Sequence, residues 1–326
     1  MTISEIARMA GVSSAAVSRY LNNGSLSEEK RERIAKVIQE TNYQPSEYAR
    51  AMRTKKSRKI GVLVPQLDSE SMPRILSGIG MVLDKENYNV VLMNSNRSQK
   101  KEISMLETFE HSQVDGLILA ASVITKRHLQ ALSDMPFPVV LVGQQSHEYS
   151  CVFHNDFQAA YEMMKYLLGT GSCHPAYLGV NCKDKAAGES RRLGVKKALN
   201  ESGILLEKIP SEEVDFTMDD GYRGMEKILC LKEPVDSVFC ATDMIAVGAI
   251  SCLKDHGKKI PEDVRVTGIG HGVVADILTP KLTTVHYHYQ TSGMEAARIL
   301  LEQIRNPEAE RQEKILSYNM IFQGTA

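Results

Sequence analysis

The chain has 326 residues, 43% of them hydrophobic and 24% charged, an ordinary composition for a globular protein that buries more than one core. No apolar run reaches the 18 residues of a membrane span, and the N-terminus lacks the apolar stretch of a signal peptide, so we expect a cytoplasmic protein. The six cysteines form no C-x-x-C pair, and neither cysteine nor histidine spacing predicts a metal site or a disulfide framework.

Charge is distributed unevenly along the chain. Residues 1–59 carry 12 Lys or Arg against 6 Asp or Glu, a net charge of +6, whereas the whole chain is −1 and the remainder is therefore −7. A basic head on an acidic body is typical of a protein that binds a polyanion at one end only.

Residues 1–44 predict a small all-α domain of three helices. Thr2 and Glu5 have the spacing of a capping box, and Gly11 stands where a helix end favours a left-handed residue. A second helix begins after Ser13 and a third near Ser27. Two short helices joined by a tight turn that contains glycine predict a helix-turn-helix DNA-binding domain.

The second predicted helix is the DNA-reading element. Its small residues Ser14, Ala15 and Ala16 and its Arg19 are expected to face the major groove. Arg19 has the reach for a bidentate contact to guanine, and the alternative is a phosphate contact. Asn22, which follows this helix, is a further predicted DNA contact.

A basic segment at residues 45–58 follows the helix-turn-helix. Its spacing is helical, but it is too short and too charged to be a stable helix alone. We expect a hinge that folds when DNA is present, and the alternative is an ordinary solvated linker.

Residues 59–326 alternate short apolar runs with helical stretches in two series. The runs are at 60–64, 90–93, 116–120 and 138–142 in the first series, and at 176–180, 237–241, 264–269 and 282–286 in the second. This alternation predicts an α/β core of two doubly wound subdomains with parallel sheets.

The two subdomains are predicted to share the chain unevenly. The N-subdomain is assigned 59–156 and 288–313, and the C-subdomain 157–287 and 314–326, with a last strand at 315–322. Small molecules bind at the carboxyl ends of parallel strands, so the cleft between the subdomains is the expected ligand site.

Several segments together carry a family resemblance. They are AVSRYLNN in the helix-turn-helix, NYQPSEYARAMRTKKS after it, and VDGLIL, DSVFCATDMIAVGAI and IPEDVRVTGIG in the core. In these the chain resembles the LacI/GalR family of bacterial transcriptional repressors. The resemblance implies a periplasmic-binding-protein-like core and a homodimer that binds a near-palindromic DNA operator with an affinity modulated by a small sugar. It also implies no cofactor.

The resemblance also implies roles for residues of the hinge. Met52 occupies the position of a leucine that wedges between base steps in the minor groove, and Met is apolar enough to replace it. Arg50, Arg53 and Lys55 are expected to contact phosphates nearby.

Carrying the family's ligand positions over gives Asp156, Arg191 and Phe216 as effector contacts. A carboxylate, a guanidinium fork and a flat aromatic face suit the hydroxyls and apolar side of a sugar. For Phe216 the alternative is core packing. Asp156 and Asp243 could instead cap helices; for Asp243 this interpretation is favoured, with Thr242 beside the pocket.

The chain departs from the family pattern at Gly270-His271-Gly272, where many members have a pocket acid. His271 is the candidate replacement, with Asp276 as the alternative. The effector is expected to be a mono- or disaccharide, phosphorylated or not, with a sucrose- or β-fructoside-type ligand as the specific guess. A nucleobase corepressor is the less favoured class, and the direction of the response is left open.

Other functions fit the sequence less well. The chain has no G-x-S-x-G, P-loop or H-E-x-x-H motif, so an enzyme is not expected. A transport-type sugar-binding protein would need an export signal. The remaining alternative is a cytosolic sugar- or nucleobase-binding protein without a DNA role. No leucine heptads follow the last predicted strand, which favours a dimer over a tetramer, acting at the bacterial nucleoid.

Overall fold

Two compact units divide the chain after Arg58, one of residues 1–58 and one of residues 59–326. The structure is a computed structural model that describes residues 1–21, 24–43 and 56–326. Each unit is built around its own apolar clusters.

The described part of the first unit contains three helices: α1 Ile3–Ala10, α2 Ser14–Leu21 and α3 Glu28–Thr41. The capping box predicted at the start of α1 is present, since the Thr2 hydroxyl accepts from the Glu5 N–H and the Glu5 side chain accepts from the Thr2 N–H. Gly11 ends α1 with a φ of 61°. Fully buried Ile6, Val17 and Ile34, one from each helix, form the centre of the unit.

The second unit begins with a sheet of six parallel strands. These are β1 Lys59–Val64, β2 Asn89–Asn94, β3 Gly116–Leu119, β4 Val139–Val142, β5 Ser150–His154 and β11 Glu313–Leu316. They lie in the order β11-β5-β4-β3-β1-β2. Helices cover both faces, α4 Met72–Leu83 and α12 Tyr289–Arg305 on one and α5 Gln99–Glu110 and α6 Lys126–Ser133 on the other.

A sheet of four parallel strands forms the centre of the other subdomain. Its strands are β6 Pro175–Gly179, β7 Ser211–Glu213, β8 Ser237–Cys240 and β9 Arg265–Thr267, in the order β7-β6-β8-β9. One face packs on α7 Asp156–Gly169 and α8 Arg191–Glu201, and the other on α9 Met218–Cys230 and α10 Asp243–Asp255. Two parallel sheets with helices on both faces confirm the predicted fold class.

The C-terminal strands differ from the prediction. The single strand expected at 315–322 is two strands, β11 in the six-stranded sheet and β12 Tyr318–Ile321, which pairs antiparallel with β10 Thr284–Tyr287. Residues 314–316 therefore belong to the N-subdomain sheet, not to the C-subdomain. The predicted strand at 282–286 is not counted in either parallel sheet: it pairs with β12 and runs beside the end of β9 through the parallel bridges Thr267–Thr283 and Gly270–His286. β5 and β7 were not predicted.

The chain passes between the subdomains at three places. The chain leaves the subdomain of the six-stranded sheet after β5, where α7 begins, and returns to it after β10, where α12 begins. The third passage lies between β11 and β12. The short helix α11 Val273–Ile277 lies between β9 and β10. These passages run beside the carboxyl ends of the parallel strands, so they flank any ligand bound between the sheets.

Candidate functional site

Helix α2 presents part of the predicted DNA-reading set to solvent. Ser14, Ala15 and Arg19 are exposed. Ala16 is only 5% exposed and packs in the cluster with Ile6. The prediction that Ala16 contacts DNA is therefore corrected, because its methyl group belongs to the core of the head.

The remaining predicted DNA contacts lie outside the described residues. These are Asn22 at the end of the reading segment and Arg50, Met52, Arg53 and Lys55 in the hinge. Their roles stay predictions.

A cavity of about 640 Å³ lies between the two subdomains of the second unit. Residues from loops after β1, β3 and β4 line one side, and residues that begin α7, α8 and α10 line the other. Four of the five predicted effector residues line it, namely Asp156, Arg191, Phe216 and Thr242. The volume is typical of a pocket for a small organic ligand, for which about 300–1,000 Å³ is usual.

Part of the cavity wall is a buried ion pair between Arg191 and Asp156. Arg191, 6% exposed, donates from Nε to Asp156 Oδ1 at 2.7 Å, and its Nη2 lies 2.7 Å from the same oxygen. The Tyr287 hydroxyl also donates to Oδ1 at 2.9 Å, and Arg191 Nη1 donates to the Ala241 carbonyl at 2.5 Å. Such a pair demands its full set of hydrogen bonds, since each charge alone would be costly to bury.

The charge of Arg191 is held by its neighbours. Burial alone would lower the pKa of the guanidinium, but the Asp156 carboxylate and the Tyr287 and Tyr289 phenols outweigh burial and raise it. Arg191 is therefore a fixed cation whose charge Asp156 already compensates.

Neither of the two aspartates caps its helix. The side chain of Asn155 accepts from the Gln158 N–H and caps α7, and the Thr242 hydroxyl accepts from the Ile245 N–H and caps α10. The favoured interpretation of Asp243 as a cap is therefore wrong, because the residue before it has that role. Both aspartates are the first residues of their helices, where the helix dipole stabilises a negative charge.

Asp243 is instead a buried acid at the edge of the cavity. It is 2% exposed and accepts from the Thr284 hydroxyl at 2.5 Å and from the Gly272 N–H at 2.9 Å. Burial raises the pKa of Asp243, and these two hydrogen bonds oppose the rise. An acid thus stands close to Gly270, where the sequence had indicated that one was missing.

His271 is not part of the cavity lining, which corrects the prediction that it contacts the effector. Its backbone has a φ of 51°, and its ring is directed to His286, with 2.9 Å between the two Nδ1 atoms. Its Nε2 lies 3.3 Å from Asp276 Oδ2. Arg74 donates to the His271 carbonyl at 2.9 Å, so His271 joins α4 to the turn after β9.

Phe216 lies at the other edge of the cavity. The Arg97 guanidinium, from the six-stranded subdomain, lies 4.6 Å from the centre of its ring. This contact crosses between the subdomains, and both residues line the cavity. Phe216 is half-buried and packs partly against the C-subdomain core, so packing and ligand contact are combined in one residue.

Other cavity residues were not predicted. Asp184 caps a π-helical turn at Lys185–Ser190 by accepting from the N–H groups of Ala186 and Ala187, and it also accepts from Gln144 Nε2 at 3.1 Å. His154 and Tyr289 line the wall beside the ion pair. Only Asp184 carried a local signal, because aspartate is a favoured residue at a helix N-cap.

Within residues 1–21, 24–43 and 56–326 no cluster of three or more His, Cys, Asp or Glu side chains is arranged to hold a metal ion. No helix in the same ranges is both long and apolar enough to cross a membrane.

Comparison with known proteins gives the family. The description "Bacterial regulatory proteins, lacI family" matches residues 2–46, and "Periplasmic binding proteins and sugar binding domain of LacI family" matches residues 57–323. The chain is 31% identical to the sucrose operon repressor of Staphylococcus xylosus over 95% of each chain. It is 34% identical to the transcriptional regulator RegA of Clostridium acetobutylicum over 98% of this chain and 97% of that one.

A solved structure agrees with this assignment. The complex of the transcriptional regulator CelR with cellobiose is 25% identical, covers all of both chains and has a TM-score of 0.78. The fold and the cavity define a DNA-binding transcriptional regulator with a sugar-binding core. The chain belongs to the LacI family, which consists of regulators rather than enzymes, as predicted.

Proposed function

We propose that this protein is a dimeric repressor of a carbohydrate-utilisation operon and that a neutral sugar bound in the cavity changes its affinity for a near-palindromic operator. It would act at the nucleoid in the bacterial cytoplasm. The observation that carries the proposal is the cavity, whose lining includes both the buried Asp156–Arg191 pair and Phe216. Hydrogen-bond donors held by their neighbours and an aromatic ring in the same cavity suit a sugar, whose ring carries hydroxyls on its edge and C–H groups on its faces.

The charges of the cavity favour a neutral ligand over a phosphorylated one. Among the described lining residues, two arginines face five acids, which are Asp68, Glu70, Asp156, Asp184 and Asp243. Asp156 already compensates Arg191, and Arg97 has several acids nearby. A phosphate would therefore bring two negative charges to an acidic wall, where like charges repel.

Sucrose or a related fructoside is the specific effector that we propose. The sucrose operon repressor of S. xylosus shares 31% of its residues with this chain over nearly the full length of both. A cavity of about 640 Å³ has room for a disaccharide. The same wall can be tested for smaller sugars and for nucleobases, for which Phe216 would supply a stacking surface.

DNA would be read by one α2 helix per half-site. Arg19 is the long exposed side chain of the predicted reading set, whereas Ser14 and Ala15 are short. A bidentate contact of Arg19 to guanine would discriminate by about 1–3 kcal/mol. Operator choice would then depend also on half-site spacing, which the dimer sets.

The test is operator binding with and without sugars. An operator selected from random duplexes is titrated with purified protein by fluorescence anisotropy, alone and with sucrose, fructose, glucose 6-phosphate or hypoxanthine. We expect a neutral sugar to change the dissociation constant for the operator by about 5- to 150-fold, the usual range of allosteric coupling. The sign of the change distinguishes an inducer from a corepressor.

A matched pair of variants ties the response to the cavity. Phe216→Ala should weaken the response, whereas Phe322→Ala, at a 56% exposed residue outside the cavity lining, should not. No duplex binding at any salt concentration would leave the alternative of a cytosolic binding protein without a DNA role. A response to glucose 6-phosphate alone would refute the neutral class.

A further inference from the structure

A second, smaller cavity adjoins the one between the subdomains. We call it the side cavity and the larger one the main cavity. The side cavity has a volume of about 210 Å³, below the roughly 300–1,000 Å³ of a pocket that holds a small molecule by itself. The two cavities share part of their walls, namely Pro65, Arg97, Ser122, Asp184 and Phe216. The side cavity is therefore an extension of the main cavity rather than an independent ligand site.

Arg97 and Phe216 lie where the two cavities meet. Both residues line both cavities, and they contact each other, with the Arg97 guanidinium 4.6 Å from the centre of the Phe216 ring. The backbone of Arg97 is in the left-handed region, with a φ of 58°, and its N–H donates to the Pro65 carbonyl at 2.7 Å. A ligand that extends from one cavity into the other would contact both side chains.

Most side chains that line the side cavity alone are polar, and they come from both subdomains. Gln99, the first residue of α5, belongs to the six-stranded subdomain, whereas Lys183 and Asp215 belong to the other one. All three are exposed, and none of their side chains makes a hydrogen bond or ion pair with the part of the chain that the structure describes. An amide and an ammonium donate to a ligand hydroxyl and a carboxylate accepts from one, so these groups suit a second sugar ring.

We propose that the side cavity is a second sugar subsite and that the effector has at least two sugar rings, one in each cavity. This rests on the proposed function and narrows its ligand class from neutral sugars to neutral di- or oligosaccharides. A monosaccharide would occupy the main cavity alone. The second ring would contact both subdomains through Gln99 and Lys183, so the longer sugar gains contacts across the cleft that a single ring lacks.

The test compares sugars of one and two rings on variants of the side cavity. Lys183→Ala removes a donor at an exposed position, and Val123→Trp fills the space; neither residue lines the main cavity. Lys185→Ala is the matched control, because Lys185 is also exposed, stands two residues away and lines neither cavity. Sucrose, maltose, cellobiose and lactose, and their constituents glucose, fructose and galactose, are titrated into each full-length protein by calorimetry, after circular dichroism shows that it is folded.

We expect the wild type to bind one of the disaccharides about 10-fold or more tightly than any of the monosaccharides. Lys183→Ala should weaken binding of that disaccharide about 2- to 10-fold and Val123→Trp about 10-fold or more, whereas monosaccharide binding stays unchanged and Lys185→Ala has no effect. A monosaccharide that binds the wild type as tightly as every disaccharide overturns the proposal and leaves the proposed function standing. A disaccharide that binds both side-cavity variants with wild-type affinity has the same consequence. A wild type that binds none of these sugars overturns both.

Discussion

Replacing Arg191 by methionine would leave the Asp156 carboxylate buried without its counter-ion. In the Arg191→Met variant, Asp156 Oδ1 loses both nitrogens that lie 2.7 Å away and keeps only the Tyr287 hydroxyl at 2.9 Å. Methionine keeps much of the volume of the arginine stem, so the lost charge dominates the effect. Breaking a buried pair in this way costs about 3–5 kcal/mol, and we expect the free energy of unfolding of residues 59–326 to fall by that amount.

The double variant Asp156→Asn with Arg191→Met isolates the charge. Asparagine keeps an oxygen that can accept from Tyr287 but carries no charge to be left unpaired. We expect this variant to regain about 2 kcal/mol or more of the loss, since a neutral pair avoids the penalty of a lone buried charge. We expect neither Arg191→Met nor the double variant to respond to sugar, because both lack the guanidinium donors.

Urea unfolding followed by far-ultraviolet circular dichroism measures these differences, and the chain has no tryptophan to report by fluorescence. Operator binding with and without sucrose measures the response. A double variant no more stable than Arg191→Met would refute the reasoning that a lone charge causes the loss. A double variant that still responds to sugar would refute the role of Arg191 in the cavity.

Three further perturbations test other parts of the molecule. Arg19→Ala should weaken operator binding by about 1–3 kcal/mol per half-site and relax its preference over random DNA; an unchanged preference would leave Arg19 only a phosphate contact. Gly78→Ala should destabilise the core by about 1–3 kcal/mol, because the new Cβ would lie 2.0 Å from the Gln290 carbonyl oxygen. Gly80→Ala, on the same helix, meets open space and should stabilise the core by about 0.5–1 kcal/mol. Similar urea midpoints for the two variants would contradict this reasoning. Because the unfolded chain protonates His154 near pH 6.5 and the folded chain only near pH 4, stability should fall by about 3 kcal/mol as the pH drops through this window, and His154→Gln should lack that part of the fall.

The head could be predicted closely because its signals are local. Thr2 and Glu5 lie within one helical turn, and Gly11 needs only its own left-handed conformation. Ala16 was misassigned because a methyl group suits either face of a helix. The structure buries it beside Val17 on the stripe that packs against α1 and α3.

Strand pairing was the part of the fold that sequence could not supply. Ile315 and Tyr318 are three residues apart in one extended stretch, yet they belong to different sheets. The apolar pattern of a stretch shows that it is extended but not which strand it joins. β7, with the sequence Ser-Glu-Glu, has no apolar pattern at all and forms by pairing with β6.

Residues of the candidate site could be predicted where they occupy a ligand position of the family. They could not be predicted where their role depends on a hydrogen bond between two distant loops. Asp156, Arg191, Phe216 and Thr242 line the cavity. The hydrogen bond between Gln144 and Asp184 joins two loops of different subdomains across 40 residues of sequence, and no spacing rule predicts such a contact. His271 occupies the sequence position where many family members have a pocket acid, but its backbone is in the left-handed region and its ring is directed to His286 rather than to the cavity.

The residues around Arg191 lie where the chain passes between subdomains, and this bears on how a ligand could act on DNA binding. Asp156 follows the passage after β5, and Tyr287 ends β10 at the passage into α12. The hydroxyl of Tyr287 donates to Asp156, and its ring stacks on His154, so the two passages are joined by a hydrogen bond and a stack. Arg191 bonds to Asp156, and its guanidinium lies 5.4 Å from the centre of the Tyr287 ring, so a ligand bonded to Arg191 would act on a residue that touches both passages. If the subdomains can adopt two angles to each other, we expect the ligand to favour the angle at which it binds more tightly. The shift between the two conformations is then set by the difference between the ligand's two affinities, which is the requirement for an allosteric effector.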